Sequence, residues 1–148
     1  MTIEIGPLRA DEQARWADLW RGYLDFYETT LPDSRYESTW RRLLDGGEIA
    51  GFGARRDGRL VGITHYLFHH HSWMDDVCYL QDLFVDGSAR GQGVGGKLID
   101  AVVAVAAARG CPRVYWMTNQ ANATARRLYD QIATFKGQIR YDHNALKP

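Results

Sequence analysis

Val77-Cys78-Tyr79-Leu80-Gln81-Asp82-Leu83-Phe84-Val85, followed shortly by Arg90-Gly91-Gln92-Gly93-Val94-Gly95-Gly96-Lys97, is the stretch that decides the fold. The first run is β-rich and feeds directly into the glycine-rich turn. An apolar helical run then continues to about Arg109, where Gly110 and Pro112 supply stop signals. A turn between a strand and a helix exposes unpaired backbone amides and about half a positive charge of helix dipole, a combination that favours a phosphate. Four glycines fall within six residues, between Arg90 and Lys97, which is more than a merely flexible turn needs. Glycine there lets the backbone touch a ligand.

Two familiar phosphate motifs fit this stretch less well. Gly91, Gly93 and Gly96 satisfy the dinucleotide spacing, but that fingerprint also wants an acidic residue about twenty positions on. No Asp or Glu stands between Asp100 and Asp130. Gly91, Gly96 and Lys97 match most of a nucleoside-triphosphate loop, yet Leu98 stands where a magnesium-binding serine or threonine belongs.

Working outward, Thr2 to Leu8 reads as a first strand, after which Asp11 can cap a helix with Trp16, Leu19, Trp20, Tyr23, Leu24 and Tyr27 at helical spacing. A second helix is expected from Pro32 or Asp33 to Leu44, stopped by Gly46 and Gly47. Ile49 to Arg55 and Leu60 to Phe68 read as strands joined by Asp57-Gly58, a pair suited to a tight hairpin turn. Beyond the apolar helix, Val114 to Met117 reads as a short strand and Asn122 to Ile132 as a helix with Ala125, Leu128, Tyr129 and Ile132 on one face. Lys136 to Tyr141 reads as a last strand. Strands first, then strand and helix in alternation, predict a mixed α/β (α+β) sheet flanked by helices, without a linker that would divide residues 1–148 into two domains.

Composition narrows the function classes. A chain of 148 residues with 45% hydrophobic and 12% aromatic content can bury a core without staples. Lys plus Arg and Asp plus Glu both number 18, so no broad attraction to nucleic acid or to an anionic membrane is expected. Two cysteines, Cys78 and Cys111, make neither a disulfide framework nor a metal site and read as free thiols in a reducing compartment. Met1 to Arg9 lacks the pattern of a signal peptide, and no apolar stretch approaches the roughly 18 residues of a membrane span, so a cytoplasmic protein is expected. The triplet His69-His70-His71 invites a metal reading. Consecutive strand residues alternate faces, however, and a solvated strand end is expected instead.

Arg90 to Gly95 resembles the arginine-x-x-glycine-x-glycine signature with which GNAT-superfamily N-acetyltransferases hold the pyrophosphate of CoA. The resemblance runs from Trp73 through Tyr79 to Val85 and the glycine loop to Asn122, Ala125, Leu128 and Tyr129. The run Tyr79 to Val85 with an upstream tryptophan is most similar to the diamine and polyamine acetyltransferase branch and its bacterial relatives. Phe26-Tyr27-Glu28 resembles that branch's acceptor-contacting segment. This resemblance implies a single-domain GNAT-like fold: a mostly antiparallel sheet of about six or seven strands with about four helices. It implies acetyl-CoA as donor without a metal, a small-molecule amine as acceptor, and a homodimer.

Site roles follow from the resemblance. Leu83, Phe84 and Val85 would hydrogen-bond the pantetheine arm and polarise the thioester. Arg90, Gly91, Gln92, Gly93, Val94, Gly95 and Gly96 would take the pyrophosphate, and Asn122 and Ala125 would contact the cofactor from the later helix. Tyr129 would protonate the departing thiolate, although periodicity alone reads it as a core aromatic. Tyr27, Glu28, Gln81 and Trp116 would meet the acceptor. The branch's base is a glutamate where this chain has Gln81, and an amide cannot take a proton. Asp82, a water chain or a histidine such as His65 could substitute. Gln81 and Asp82 cannot both face the acceptor without a bulge. Alternatives to a small-molecule acetyltransferase are a non-catalytic acyl-CoA sensor and a peptide or protein N-acetyltransferase.

Overall fold

The computed structural model describes residues 2–146. In chain order the elements are β1 (Ile3–Pro7), α1 (Gln13–Phe26), α2 (Asp33–Asp45), β2 (Ala50–Arg56), β3 (Arg59–His69), β4 (Val77–Val85), α3 (Val94–Arg109), β5 (Val114–Tyr115) and α4 (Ala123–Ile132). The chain divides into two compact units, Met1–Met117 and Thr118–Pro148.

The first unit holds one five-stranded sheet in the order β1-β2-β3-β4-β5, antiparallel except for the parallel pair β4 and β5. Asp57 and Gly58 join β2 to β3 with φ of 53° and 79°, the left-handed pair whose twist suits a two-residue hairpin. The apolar stripe of α1 buries Trp16, Leu19, Trp20 and Leu24 against Tyr36, Trp40 and Leu43 of α2 and against Leu60 and Ile63 of β3. The Trp16 ring stacks on Trp20 at 5.2 Å and tilts against Trp40 at 5.0 Å. On a second cluster, α3 packs Val94 and Leu98 against Ala54 and Val61, with Leu83 and Val85 alongside. Burial of each such side chain contributes roughly 1.5–3 kcal/mol. Sheet and helices thus form a mixed α/β fold that holds β4 from both clusters.

The start of α1 differs from the expectation for Asp11. A 3-10 turn, Ala10–Glu12, precedes the helix, and the Glu12 carboxylate accepts the Arg9 N–H at 2.8 Å, so Asp11 lies inside the turn and does not cap α1. Gly46 (φ 71°) and Gly110 (φ 84°) end α2 and α3 in the left-handed conformation, as their positions in the sequence predict.

In the second unit α4 is capped by Asn122, whose Oδ1 accepts the Ala125 N–H at 3.4 Å. The strand expected over Lys136 to Tyr141 does not form. Gly137 turns left-handed (φ 76°), and each of residues 136–141 is exposed, so the segment has no ladder to satisfy its amides. The sheet therefore has five strands among the described residues and not six or seven, and β5 is two residues long where Val114 to Met117 was expected. Among the described residues no helix is long and apolar enough to cross a membrane.

Candidate active site

The ladder between β3 and β4 carries a bulge at the residues that the sequence singled out. Thr64 pairs with Leu83 and His65 with Asp82, but Tyr66 pairs with Leu80, so Gln81 is the extra residue. Gln81 is exposed, whereas the Asp82 side chain turns toward α1 and is 15% exposed. Thr64 Oγ1 donates to the Asp82 carbonyl at 2.8 Å.

The Asp82 carboxylate sits at the end of a hydrogen-bonded chain. Trp16 Nε1 donates to His65 Nε2 at 2.9 Å, and His65 Nδ1 lies 2.8 Å from Asp82 Oδ2. An indole N–H can only donate, so Nε2 accepts and the imidazole proton rests on Nδ1, pointing at Asp82. Trp20 Nε1 donates to the same carboxylate oxygen at 3.3 Å. Burial alone would raise the Asp82 carboxyl, but the His65 hydrogen bond, with help from those of Tyr23 and Trp20, outweighs it and holds the group below its ordinary range. Burial and the nearby Asp82 charge push the Tyr23 phenol far up, so it stays a neutral donor, 3.5 Å from the Gln81 carbonyl.

Beside β4 the sheet forks. Its parallel ladder to β5 has two rungs, Cys78 to Val114 and Tyr79 to Tyr115, and the two tyrosine rings stack at 4.8 Å where pairing ends. From Leu80 to Val85 no described strand pairs with β4 on that side. An unpaired strand edge offers main-chain groups to an extended, amide-bearing ligand.

The open edge runs into the glycine loop. Asp86 accepts the N–H of Ser88 at 3.3 Å and also its hydroxyl, fixing the exit from β4. Arg90 folds back, donating from Nε to the Val85 carbonyl at 3.2 Å with its guanidinium 5.7 Å from the Phe84 ring centre. Gly91 and Gly93 have φ of 79° and 76°, and Gly93 begins α3 without a side-chain cap. A Cβ added at Gly91, Gly93 or Gly96 would meet nothing within 4 Å, so open space stands in front of the first amides of a 16-residue helix. Such unobstructed amides at a helix start are suited to an anionic group.

The residues assigned to the acceptor lie at the end of α1. Tyr27 packs on Tyr23 at 4.9 Å and on the exposed Phe26 at 5.2 Å. Glu28 takes a left-handed φ of 54° where glycine is usual, as the Thr29 N–H reaches back to the Leu24 carbonyl at 2.9 Å. Tyr23 links this end of α1 to Gln81 and Asp82. Trp116 follows β5 and is half-buried. Asn122, Ala125 and Tyr129 belong to the second unit. Asn122 also donates to Thr118 Oγ1 at 3.3 Å, and Ala125, Leu128 and Tyr129 share a half-buried stripe of α4, while Ile132 is exposed.

The three histidines part ways: His69 meets Tyr115 Oη at 2.8 Å, His70 meets Asp76 at 2.7 Å, and His71 packs its ring against the exposed Trp73. The residues that sequence reasoning missed are Trp16 and Trp20 as polar partners. An indole on an apolar helix stripe reads as core, and only the need of a buried indole N–H for an acceptor hints at more.

Residues 16–135 match the acetyltransferase (GNAT) family. The chain is 37% identical over 147 residues to the D-amino-acid N-acetyltransferase HPA3 of Saccharomyces cerevisiae, covering 96% of this chain and 91% of that protein. It is 36% identical over 73 residues to the thialysine N-epsilon-acetyltransferase of Bos taurus, covering 49% and 43%. In fold it is similar to the aminoglycoside acetyltransferase AAC(6')-Iy, solved with a bisubstrate analogue, with a TM-score of 0.86 at 20% identity over 99% of this chain and all of the other.

Proposed function

Because the chain belongs to the acetyltransferase (GNAT) family and is an acetyl-CoA-dependent N-acetyltransferase, we propose that it acetylates the primary amine of a small polyamine-like or amino-acid-like acceptor in a ternary complex. The observation that carries this reading is the open edge of β4, which leads through the short turn at Gly87–Ala89 into the capless glycine turn of α3. We read the two units as one N-acetyltransferase domain, since the family match crosses their boundary. The resemblance also supports a cytoplasmic homodimer.

Acetyl-CoA supplies an activated thioester. Amides of Arg90 to Gly96 grip its diphosphate, and main-chain groups of Leu83 to Val85 hold the pantetheine arm and stabilise the negative charge that develops on the thioester oxygen. An aliphatic ammonium has a pKa near ~10.4, so reaching the neutral amine at pH 7 costs about 4–5 kcal/mol. His65 Nε2 is occupied by the Trp16 N–H, and the Asp82 carboxylate, turned toward α1 with Oδ2 bonded to His65 and Trp20, is held below its ordinary range, so neither is poised to take that proton. Water takes it, while the exposed Gln81 carboxamide, with Tyr27 and Glu28, orients the amine. Trp116 completes the acceptor's surroundings. Asp82 acts as a positioning residue that locks the bulge beneath Gln81. The amine nitrogen would attack the thioester carbon and shed its second proton to water as the C–S bond breaks, while Tyr129 would protonate the departing thiolate and regain a proton from solvent, with Asn122 and Ala125 supporting the cofactor.

The test is thiol release from acetyl-CoA against a panel of polyamines, amino acids of both hands and short peptides. Turnover concentrated on small primary amines is expected. Turnover on peptides alone would overturn the small-acceptor reading.

A further inference from the structure

A cavity of about 510 Å³ opens between the β2–β3 turn and the segment that joins β4 to α3. Three arginines line it, Arg15, Arg56 and Arg59, together with Asp57, Asp86 and Ser88. Two of the guanidinium groups are already aimed. Arg15 donates from Nε to the Leu60 carbonyl at 3.0 Å and comes within 3.8 Å of the Asp86 carboxylate. Arg56 donates to the Ser88 carbonyl at 3.1 Å, to Ser88 Oγ at 3.4 Å and to Gln92 Oε1 at 3.4 Å. Arg59 is different: its backbone pairs with Arg56 in the hairpin, but its side chain makes no hydrogen bond or ion pair among the described residues.

The charge around this cavity is unbalanced. The Asp86 carboxylate is taken by Ser88 and Arg15, and the Ser88 bonds hold its carboxyl below the ordinary range. Asp57, on the hairpin turn, is the other carboxylate that lines the cavity. Guanidinium forks match the oxygens of a phosphate and keep their charge at any physiological pH, so three around one opening favour a multiply charged oxyanion over a halide or a single carboxylate. The Arg56 bonds to Ser88 and Gln92 tie the cavity directly to the glycine loop.

We propose that the cavity formed by Arg15, Arg56 and Arg59 binds a phosphate monoester, and that its bond to the glycine loop makes the 3′-phosphate of CoA the occupant. That assignment rests on the acetyl-CoA reading of the neighbouring loop; the site's chemistry does not. The side chain that completes the site is that of Arg59, which is exposed and has no side-chain partner, so its truncation leaves the fold intact.

The experiment compares acetyl-CoA with 3′-dephospho-acetyl-CoA in the wild-type protein and in Arg59→Ala, with melting curves to verify folding. The wild type should show a KM for the dephosphorylated donor at least about tenfold higher, with kcat unchanged. Arg59→Ala should close most of that gap by raising the KM of acetyl-CoA alone. If the wild type treats both donors alike, yet calorimetry shows inorganic phosphate binding that Arg59→Ala abolishes, the site stands and its phosphate comes from a free ligand. Equal KM values without Arg59-dependent phosphate binding overturn the proposal. A wild type that turns over neither donor would strike at the acetyltransferase reading instead, and phosphate calorimetry would still decide the cavity.

Discussion

At the scale of single residues, two side chains separate chemistry from support. If Tyr129 donates the proton to the leaving thiolate, Tyr129→Phe removes one oxygen and should lower kcat by about a hundredfold while acetyl-CoA affinity stays nearly constant. Steady-state rates with calorimetric CoA binding check this, and unchanged kcat would remove Tyr129 from the mechanism. Glu28 tests the opposite relation. Its left-handed backbone costs a non-glycine residue about 1 kcal/mol, so Glu28→Gly should raise stability by about that amount and weaken a cationic acceptor. A chemical melt and the acceptor KM read the two effects separately, and a KM that does not rise would leave Glu28 without a role in binding. The Gln81 substitution was legible in the sequence because the neighbours matched a known pattern. The bulge that exposes Gln81 was foreseen as a condition, but the Trp16–His65–Asp82 chain that accompanies it was not. Side-chain hydrogen bonds across 49 and 17 residues of sequence leave no local period to detect.

At the scale of elements, the contact between α1 and β4 ties the aromatic layer to the glycine loop. A Cβ at Gly22 would lie 2.7 Å from Phe84 Cζ, and the Phe84 ring in turn lies beneath the Arg90 guanidinium. Gly22→Ala gains about 1 kcal/mol of helix propensity and loses about 1–3 kcal/mol to crowding unless the ring swings away. The expected outcome is a stability change within about 2 kcal/mol and a several-fold rise in acetyl-CoA KM, because the displaced ring disturbs Arg90. An unchanged KM would show that Phe84 moves without consequence. Elements with their own punctuation were legible: the Asp57-Gly58 hairpin, the glycine stops of α2 and α3, and β4 itself. Lys136 to Tyr141 was not, because alternation says that a segment can be a strand but only a neighbouring ladder makes it one. The start of α1 eluded the sequence for a related reason, since the Arg9–Glu12 bond adds a tighter turn before the helix.

At the scale of the whole molecule, stability should be sensitive to acid in a defined direction. Arg55 has a fully buried side chain and meets the Glu12 carboxylate through Nε at 2.8 Å and Nη2 at 2.6 Å, with a third bond to the Pro7 carbonyl at 2.7 Å. Burial would raise the Glu12 carboxyl, but the Arg55 hydrogen bonds prevail and lower it, as His65 does for Asp82. Both groups therefore bind protons less readily folded than unfolded. Their contribution is complete at neutral pH and is lost as the pH falls below about 4 toward the folded values. Glu12→Ala strands the buried guanidinium and should cost about 3–5 kcal/mol at pH 7, a loss read by urea denaturation, with a shallower dependence on acid than the wild type. A cost below about 1 kcal/mol would mean that Arg55 finds water. The fork beside β4 bears on how the protein breathes. With two rungs binding it to the sheet, β5 is a seam whose amides should trade deuterium quickly in the apo protein. A donor lying in the gap would act as a surrogate stave, slowing that exchange and raising the melting temperature by several degrees at a hundredfold excess over its Kd.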